Sequence, residues 1–226
     1  MHLTLQKFFE RLREQSTVEQ GGLFEGMNVQ LPMTNDQSNP NDQILKLDNL
    51  LKLYESIWID DWYDTPARKE DYRANGKRIL KEFYAKHTSE GWPKVQTTEQ
   101  PFVVKFDQYA VMGKADRIDA VDGGVEIVDY KTGAAKPKLT AEDKMQLLIY
   151  QVAATQALGV IPRILSYYYL EDNTKQSFLG TEEEISELHE TIVHVGQEIA
   201  NGKFTATPGR HCATCDFRKI CPYVQT

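Results

Sequence analysis

Asp116, Asp129 and Lys131 are the residues of this sequence whose types and spacing most favour chemistry. They fall in two segments with alternating apolar residues, 111–120 and 125–131, which predict neighbouring strands. Carboxylate oxygens are the ligands that Mg²⁺ and Mn²⁺ prefer, and a nearby lysine could orient an attacking water or stabilise charge developing on a phosphate. The three side chains therefore predict a divalent-cation site with hydrolytic chemistry.

The turn between the two strands decides whether these side chains meet. The dipeptide Asp122-Gly123 predicts the two loop residues of a tight hairpin. Asp116 then lies directly opposite Asp129, and alternation places Lys131 on the same face. If the turn begins one residue later, Asp116 faces Lys131, and the cluster survives. Opposed like charges destabilise a sheet pair, so a bound cation would compensate them. The alternative is a solvated acid–base cluster without chemistry.

The elements around the hairpin predict one mixed sheet flanked by helices, an α/β or α+β fold with the order β-β-β-α-β behind an N-terminal helical segment. The predicted helices are 43–59, 66–87, 141–158 and 182–201, and the predicted strands are 102–106, 111–120, 125–131 and 164–170. Thr65-Pro66 predicts one helix start, and Thr181 with Glu184 predicts a capping box at another. By alternation or by their place in the turn, the other hairpin acids are expected at the surface: Asp119, Asp122 and Glu126.

We expect a single domain over 1–226. Its parts are a mainly helical region at 1–100 with a flexible loop at 20–42, the catalytic sheet and helices at 101–202, and a cysteine tail at 203–226. The chain begins abruptly inside an apolar-periodic helix, so we expect it to be a fragment of a longer protein.

Three segments resemble the PD-(D/E)xK nuclease superfamily, in particular its RecB-like and AddB-like branch. They are GKADRID at 113–119, EIVDYKTG at 126–133 and QLLIY at 146–150. The resemblance implies a restriction-endonuclease-like core in which Asp116 and Asp129 bind the metal and Lys131 is catalytic. It also implies that Gln146 and Tyr150, one helical turn apart, support substrate or metal positioning. Helix packing is the alternative role for that pair.

The resemblance extends to nuclease domains at the C-termini of UvrD-like superfamily-1 helicases. It implies a Mg²⁺- or Mn²⁺-dependent DNA nuclease, an exonuclease or end-processing enzyme of recombination and repair. The implied partners are single-stranded DNA ends and a helicase domain or subunit. A non-catalytic DNA-binding or docking module of a helicase-nuclease is the alternative function.

Two further residues take a role from the same resemblance. His2 begins the segment HLTLQKFF, which matches a family helix whose histidine is a further metal ligand. The alternative is a frayed chain end. Glu99 corresponds to a family glutamate just before the first strand, with a supporting or structural role.

The three cysteines of the sequence, Cys212, Cys215 and Cys221, form a C-x2-C-x5-C pattern near its end. An odd, clustered number without a secretory signal favours metal ligation over a disulfide framework. The resemblance implies three of the four ligands of a [4Fe–4S] cluster, and the fourth cysteine is absent from this sequence. The alternatives are a zinc site completed by His211, or three reduced thiols. In each case the tail is structural rather than catalytic.

The formal net charge is −7, from 26 Lys and Arg against 33 Asp and Glu. This balance argues against a protein that coats nucleic acid through bulk positive charge, and it leaves a metal-dependent nuclease possible. Arg73, Lys77 and Lys81 recur every four residues on one helix, where they could contact a DNA backbone or form a solvated face. No apolar run approaches the ~18 residues of a membrane span, so we expect a cytoplasmic protein without membrane contact.

Overall fold

Five strands form one mixed sheet whose spatial order follows the chain, β1-β2-β3-β4-β5. The computed structural model describes residues 1–20, 46–61 and 63–223. Its elements are α1 (His2–Gln20), α2 (Leu47–Ser56), α3 (Pro66–Glu90), β1 (Val95–Phe106), β2 (Tyr109–Val121), β3 (Gly124–Lys131), α4 (Ala141–Gln156), β4 (Pro162–Tyr169), β5 (Thr174–Phe178), α5 (Glu182–Ala200) and a short 3₁₀ helix (Arg210–Thr214). The mixed α/β prediction is confirmed. Residues 21–42 of the predicted flexible loop lie outside the described residues.

The strand pairing places the hairpin β2–β3 at the centre of the sheet. β1, β2 and β3 pair antiparallel, β3 and β4 pair parallel across the α4 crossover, and β4 and β5 pair antiparallel. A parallel pair needs such a crossover connection, and here the connection is α4, which packs against β3 and β4. The predicted Gln146–Tyr150 pair therefore lies on the element that covers β3.

Predicted helix starts are confirmed where side-chain caps define them. Thr65 Oγ1 accepts a hydrogen bond from the Arg68 N–H at 3.2 Å, with Pro66 in the first turn. Thr181 and Glu184 form the predicted capping box of α5. These caps satisfy N–H groups that have no partner inside the helix.

Helices cover both faces of the sheet, so the structure has two apolar layers. On the first face, α4 and α5 pack against side chains that include Ile118, Ile127 and Leu165. On the second face, α1, α2 and α3 pack against β3 and β4 side chains that include Val128 and Tyr168. Leu5 and Phe9 of α1 are buried in this second layer, as their helical spacing predicts.

The structure corrects several strand predictions. β1 begins at Val95, so Glu99 lies within the strand rather than before it. The short polar strand β5 was not predicted. Asp119 and Glu126 are 2% and 6% exposed, so their expected surface position is wrong. The cause is that α1–α3 cover the face to which alternation assigns them, and this face was expected to meet solvent.

None of the helices within the described ranges combines the length and apolar character needed to cross a membrane.

Candidate active site

The hairpin register is the one set by an Asp122-Gly123 turn. Val121 pairs with Gly124 at the turn, and the ladder continues to Arg117 opposite Val128. Gly123 has a φ of +69°, a backbone conformation that favours glycine. The register predicted from the Asp122-Gly123 turn is therefore confirmed from the turn to Arg117, the neighbour of Asp116.

Where the β2–β3 ladder ends, the side chain of Asp116 replaces a backbone hydrogen-bond partner of β3. Its Oδ2 accepts a hydrogen bond from the backbone N–H of Tyr130 at 2.8 Å. Asp116 is thereby held at the end of the paired region, beside the strand residue that follows Asp129. A carboxylate that replaces a strand partner in this way is fixed by the backbone rather than by a side-chain rotamer alone.

Asp129 lies 3% exposed at the centre of the cluster. Its Oδ1 accepts from Gln146 Nε2 at 2.7 Å and from the Tyr150 hydroxyl at 3.3 Å. Its Oδ2 lies 2.7 Å from Lys131 Nζ and, among the described residues, accepts no well-directed hydrogen bond. Asp129 thus has one satisfied oxygen and one whose close partner is an ammonium group.

Lys131 connects the strand to the helix above it. Its Nζ donates to Gln146 Oε1 at 2.8 Å and lies 4.8 Å from the ring centroid of Tyr167. The Lys131 side chain is 38% exposed, whereas the Asp129 side chain is 4% exposed. The amine therefore stands between the buried carboxylate and solvent.

Helix α4 supplies the groups that orient Asp129. Thr140 caps its N-terminus in a capping box with Asp143, and Leu147 is fully buried against the sheet. Gln146 and Tyr150, one turn apart, face β3, and Gln146 Nε2 also donates to the Tyr150 hydroxyl at 2.8 Å. Burial raises the pKa of Tyr150, so its hydroxyl stays protonated at neutral pH.

His2 reaches the cluster from the first turn of α1. Its Nδ1 lies 3.5 Å from Asp116 Oδ2, and its ring packs edge-on against Tyr130 at 5.9 Å between centroids. Burial of Leu5 and Phe9 holds α1 on the second face of the sheet and brings its first turn to the edge. The side chain predicted as a metal ligand is thus adjacent to one of the two carboxylates.

Glu99 is a second acid beside Asp116. The pairs Thr98–Arg117 and Gln100–Ala115 leave Glu99 opposite Asp116, and Glu99 has a φ of +49°, a strained conformation for a non-glycine residue. The sequence carried no signal for this strain.

The Asp116 carboxyl has a raised pKa. Burial is the main cause, and the negative charges of Asp129 and Glu99 add to it. The Tyr130 N–H and the positive field of His2 act in the opposite direction. The site is therefore a place where negative charge is crowded and where a bound cation would be favourable.

The donor set fits a hard divalent cation with an incomplete protein cage. Across the described ranges, no group of three or more His, Cys, Asp and Glu side chains is assembled for metal binding. Mg²⁺ needs no such cage, because it binds through one or two carboxylates and keeps waters or phosphate oxygens. The buried Asp129 Oδ2, without a directed hydrogen bond, and the crowded charge at Asp116 suit that coordination.

The alternate residues of the same hairpin form a buried polar network on the second face. The Arg117 guanidinium pairs with Asp119 at 3.0 Å and donates to the Tyr130 hydroxyl. Glu126 accepts from Ser166 Oγ at 2.5 Å and from Lys175 Nζ at 2.7 Å. Burial also raises the pKa of Asp119, and the adjacent guanidinium opposes this effect. The sequence signal for the network was the i, i+2 spacing of Arg117 and Asp119, which places opposite charges on one strand face.

The cysteine tail lies apart from this chemistry. Cys212, Cys215 and Cys221 are free thiols, and Cys215 is exposed. Backbone hydrogen bonds within the tail order this segment. The Cys221 N–H, for example, donates to the Phe217 carbonyl at 2.9 Å. Neither the cluster nor the alternative zinc site with His211 has support among the described residues.

The basic row on α3 is partly neutralised. Arg73 and Lys77 both form ion pairs with Glu55 of α2. The solvated, salt-bridged face, which was the alternative to phosphate contact, accounts for these two residues.

Comparisons with known proteins identify the family of the chain. Residues 1–222 match the family model described as "PD-(D/E)XK nuclease superfamily". No curated protein matches the chain. The chain is similar to a solved structure described as "Crystal structure of SSO0001", with 19% identity and a TM-score of 0.43, over 82% of this chain and 97% of that chain. Because the family model spans nearly the whole sequence, the chain belongs to the PD-(D/E)XK nuclease superfamily, whose members are typically metal-dependent nucleases.

Proposed function

We propose that this protein is a Mg²⁺- or Mn²⁺-dependent deoxyribonuclease that hydrolyses phosphodiester bonds. The observation that carries the proposal is the environment of Asp129, whose Oδ1 is held by Gln146 and Tyr150 and whose buried Oδ2 has the Lys131 ammonium as its close partner among the described residues. Hydrogen bonds fix one oxygen of this carboxylate, and the other oxygen can exchange its lysine partner for a cation.

Each residue has a distinct part in this proposal. Asp116 and Asp129 would hold the cation, with His2 as a further ligand beside Asp116. When bound, the cation supplies charge stabilisation at the scissile phosphate. Gln146 and Tyr150 keep the Asp129 carboxylate in one orientation.

Lys131 acts at the solvent side of the buried acid. Its ammonium lies between the Asp129 carboxylate and the Gln146 carbonyl, so it is positioned before substrate arrives. From there Lys131 orients the attacking water or stabilises negative charge that develops on the phosphate. Preorganised charge of this kind costs no rearrangement during the reaction.

The finer assignment rests on the RecB-like and AddB-like resemblance of the three motifs. It makes the protein an exonuclease or end-processing nuclease of recombination and repair. Its substrate is single-stranded DNA ends delivered by a helicase domain or subunit. In the same proposal, Cys212, Cys215 and Cys221 bind a [4Fe–4S] cluster once a fourth cysteine is supplied from elsewhere.

The test is a single-strand cleavage assay with a fluorescent oligonucleotide and Mn²⁺. We expect Asp129→Ala and Lys131→Ala each to lower the rate by about 10²- to 10⁴-fold. Asp122→Asn is the matched control, because Asp122 is an exposed acid in the turn of the same hairpin and Asn-Gly preserves that turn. Unchanged cleavage by both site variants would remove the proposed site.

The alternative function is a DNA-binding or docking module without activity. It predicts DNA binding by the wild-type protein and no cleavage with Mg²⁺ or Mn²⁺ at any concentration. Cleavage that depends on Asp129 excludes it.

A further inference from the structure

An aromatic cleft opens beside the catalytic edge of the sheet. Its volume is about 520 Å³, within the range of small-molecule sites. The residues that define it here are the aromatic side chains Trp58, Tyr63 and Tyr72. Among the other residues in its wall are Met1 and Thr132, the chain neighbours of His2 and Lys131. The aromatic cleft and the active site therefore share one edge of the molecule.

The three rings of the aromatic cleft lie next to one another, one pair stacked and the other tilted by 46°. Trp58 and Tyr63 are stacked, with 5.7 Å between centroids and 9° between planes. Tyr63 and Tyr72 lie 5.8 Å apart, and Tyr72 is 53% exposed. Single exposed aromatics need no explanation, whereas a contiguous exposed patch indicates an interaction site.

The packing beneath the rings shows that the aromatic cleft is a built feature. Tyr54, which is 3% exposed, packs edge-on against Trp58 at 5.4 Å. The Tyr54 ring fits only because α3 has Gly76 beside it, where any Cβ would collide with the Tyr54 hydroxyl. A mid-helix glycine lowers helix stability relative to alanine. Helix α3 therefore contains a residue that lowers its stability, and this residue leaves room for the Tyr54 ring beneath the cleft.

A buried hydroxyl in the cleft wall belongs to Thr4 of α1. Thr4 lines the cleft and is 1% exposed, and its Oγ1 makes no hydrogen bond to any of the described residues. Buried polar atoms are nearly always hydrogen-bonded in folded proteins. A wall that combines aromatic rings with a polar side chain suits a ligand that has both a flat face and polar edges.

Two clefts meet at Thr132, the residue after Lys131. Thr132 lines the aromatic cleft and also a second cleft of about 590 Å³, whose wall includes Lys131, Gln146 and Tyr167. A chain that passed from one cleft to the other would cross the end of β3. The position of the proposed chemistry is therefore adjacent to both.

We propose that the aromatic cleft binds an unpaired base of single-stranded DNA next to the scissile phosphate. This inference rests on the proposed nuclease function and names the form of its substrate. Stacking of a base on Tyr72 and the Trp58–Tyr63 pair supplies affinity without sequence preference, because every base has a π-face. A base inside a duplex is already stacked and paired, so it cannot enter without disruption of the duplex.

The charges around the aromatic cleft favour a base over a phosphate group. Nearby cations are already paired, as in Lys69 with Asp60 at 3.1 Å and Arg73 with Glu55. The acid in the wall, Glu171, is likewise paired, with Arg78, so it adds no attraction for a phosphate. The phosphate is therefore expected at the carboxylate site and the base in the cleft.

The experiment measures equilibrium binding, so it does not require cleavage. Fluorescence anisotropy compares a labelled thymidine oligonucleotide, an abasic oligonucleotide of the same length and a duplex, all in EDTA. The variants are Tyr72→Leu and Trp58→Leu, which keep apolar volume and remove the aromatic face. Phe204→Ala is the control, because Phe204 is an aromatic residue, 75% exposed, that does not line the cleft.

We expect each leucine variant to weaken binding of the thymidine oligonucleotide by about 5- to 150-fold, the range for loss of one stacked base. Binding of the abasic strand should change by less than about twofold, and thermal unfolding should match that of the control. Equal losses for thymidine and abasic strands, or wild-type affinity in both variants, would overturn the proposal.

The two proposals fail separately. If the wild-type protein cleaves DNA in an Asp129-dependent manner while both leucine variants bind thymidine strands normally, the base site is wrong and the nuclease assignment stands. If the leucine variants lose base-dependent binding but no cleavage occurs with any cation, the base site stands and the nuclease assignment is wrong.

Discussion

The two faces of the β2–β3 hairpin contain similar residue types arranged for different purposes. On the second face, Arg117 and Asp119 form an ion pair whose side chains are each 3% exposed. On the first face, Asp116 and Asp129 crowd like charges together, and the single amine of Lys131 is 38% exposed. Adjacent positions on the same two strands thus hold a closed face, where opposite charges are paired although Asp119 Oδ1 makes no hydrogen bond to the described residues, and an open face, where like charges are crowded.

The difference lies in the sign of the charges and in their contact with solvent. A buried charge is tolerated when an opposite charge and hydrogen bonds satisfy it, and it is costly when one partner is missing. The Arg117 guanidinium finds its opposite charge and a hydrogen-bond acceptor within the protein. This face of the hairpin therefore stabilises the fold only while Arg117, Asp119 and Tyr130 are all present. The Asp116–Asp129 side is incomplete within the protein, and a cation can complete it.

The largest expected effect is on the closed face. Arg117→Met would leave Asp119 buried without its cation, so we expect the free energy of unfolding to fall by about 3–5 kcal/mol. Chemical denaturation measures this change. Arg163→Met is the control, because Arg163 is exposed and donates to the Gly123 carbonyl at 2.9 Å. Equal losses in the two variants would show that the buried pair has no special role.

A smaller effect is expected on the open face when an orienting group is removed. Gln146→Ala leaves Asp129 Oδ1 with the Tyr150 hydroxyl alone, so we expect a rate loss of about 10- to 100-fold, as for groups that orient metal ligands. Part of that loss should be recovered at high Mn²⁺ concentration, which a purely structural role would not produce. Gln156→Ala, an exposed change on the same helix, should have wild-type kinetics.

The smallest effect concerns the pH dependence of stability. The folded pKa of Asp116 is raised above its usual 3.8, so the native state binds more protons than the unfolded state just above that pH. Stability in EDTA should therefore decline as pH rises through this window. Asp116→Asn removes the decline and should raise the Tm at pH 7, because its amide oxygen still accepts from the Tyr130 N–H.

Thermal unfolding between pH 3 and pH 7 measures this effect, with Asp122→Asn as the exposed control. Mn²⁺ should raise the Tm of the wild-type protein more than that of Asp116→Asn. A lower Tm for Asp116→Asn at pH 7 in EDTA would contradict the charge crowding.

Local chemistry accounts for the parts of the fold that were predictable. The Asp122-Gly123 turn and the Thr65 and Thr181 caps are short-range signals, and each lies where it was predicted. The hairpin and its alternation then brought Asp116, Asp129 and Lys131 together without knowledge of any distant contact. Gln146 and Tyr150 required the resemblance, because helical spacing alone does not reveal which strand a helix covers.

The unpredicted parts depend on long-range packing. Asp119 and Glu126 are buried because α1–α3 fold over their face, and no residue within the hairpin reports this. β5 is short and polar with exposed residues, so its segment lacks the apolar alternation of a strand. The contact of His2 with Asp116 joins residues 114 positions apart, so the resemblance could suggest it but no local pattern could.

The alternation of the hairpin also limits how its length can change. Because the pairing of β2 with β3 is set from the turn, one residue inserted between Arg117 and Ile118 would rotate both Arg117 and Asp116 to the opposite side of the sheet. The Arg117 guanidinium would then point toward α4, and the Asp116 carboxylate would face the apolar and aromatic layer on the second face. Only insertions of two residues, or a bulge that restores the parity, would preserve both the enzyme site and the folded core at once.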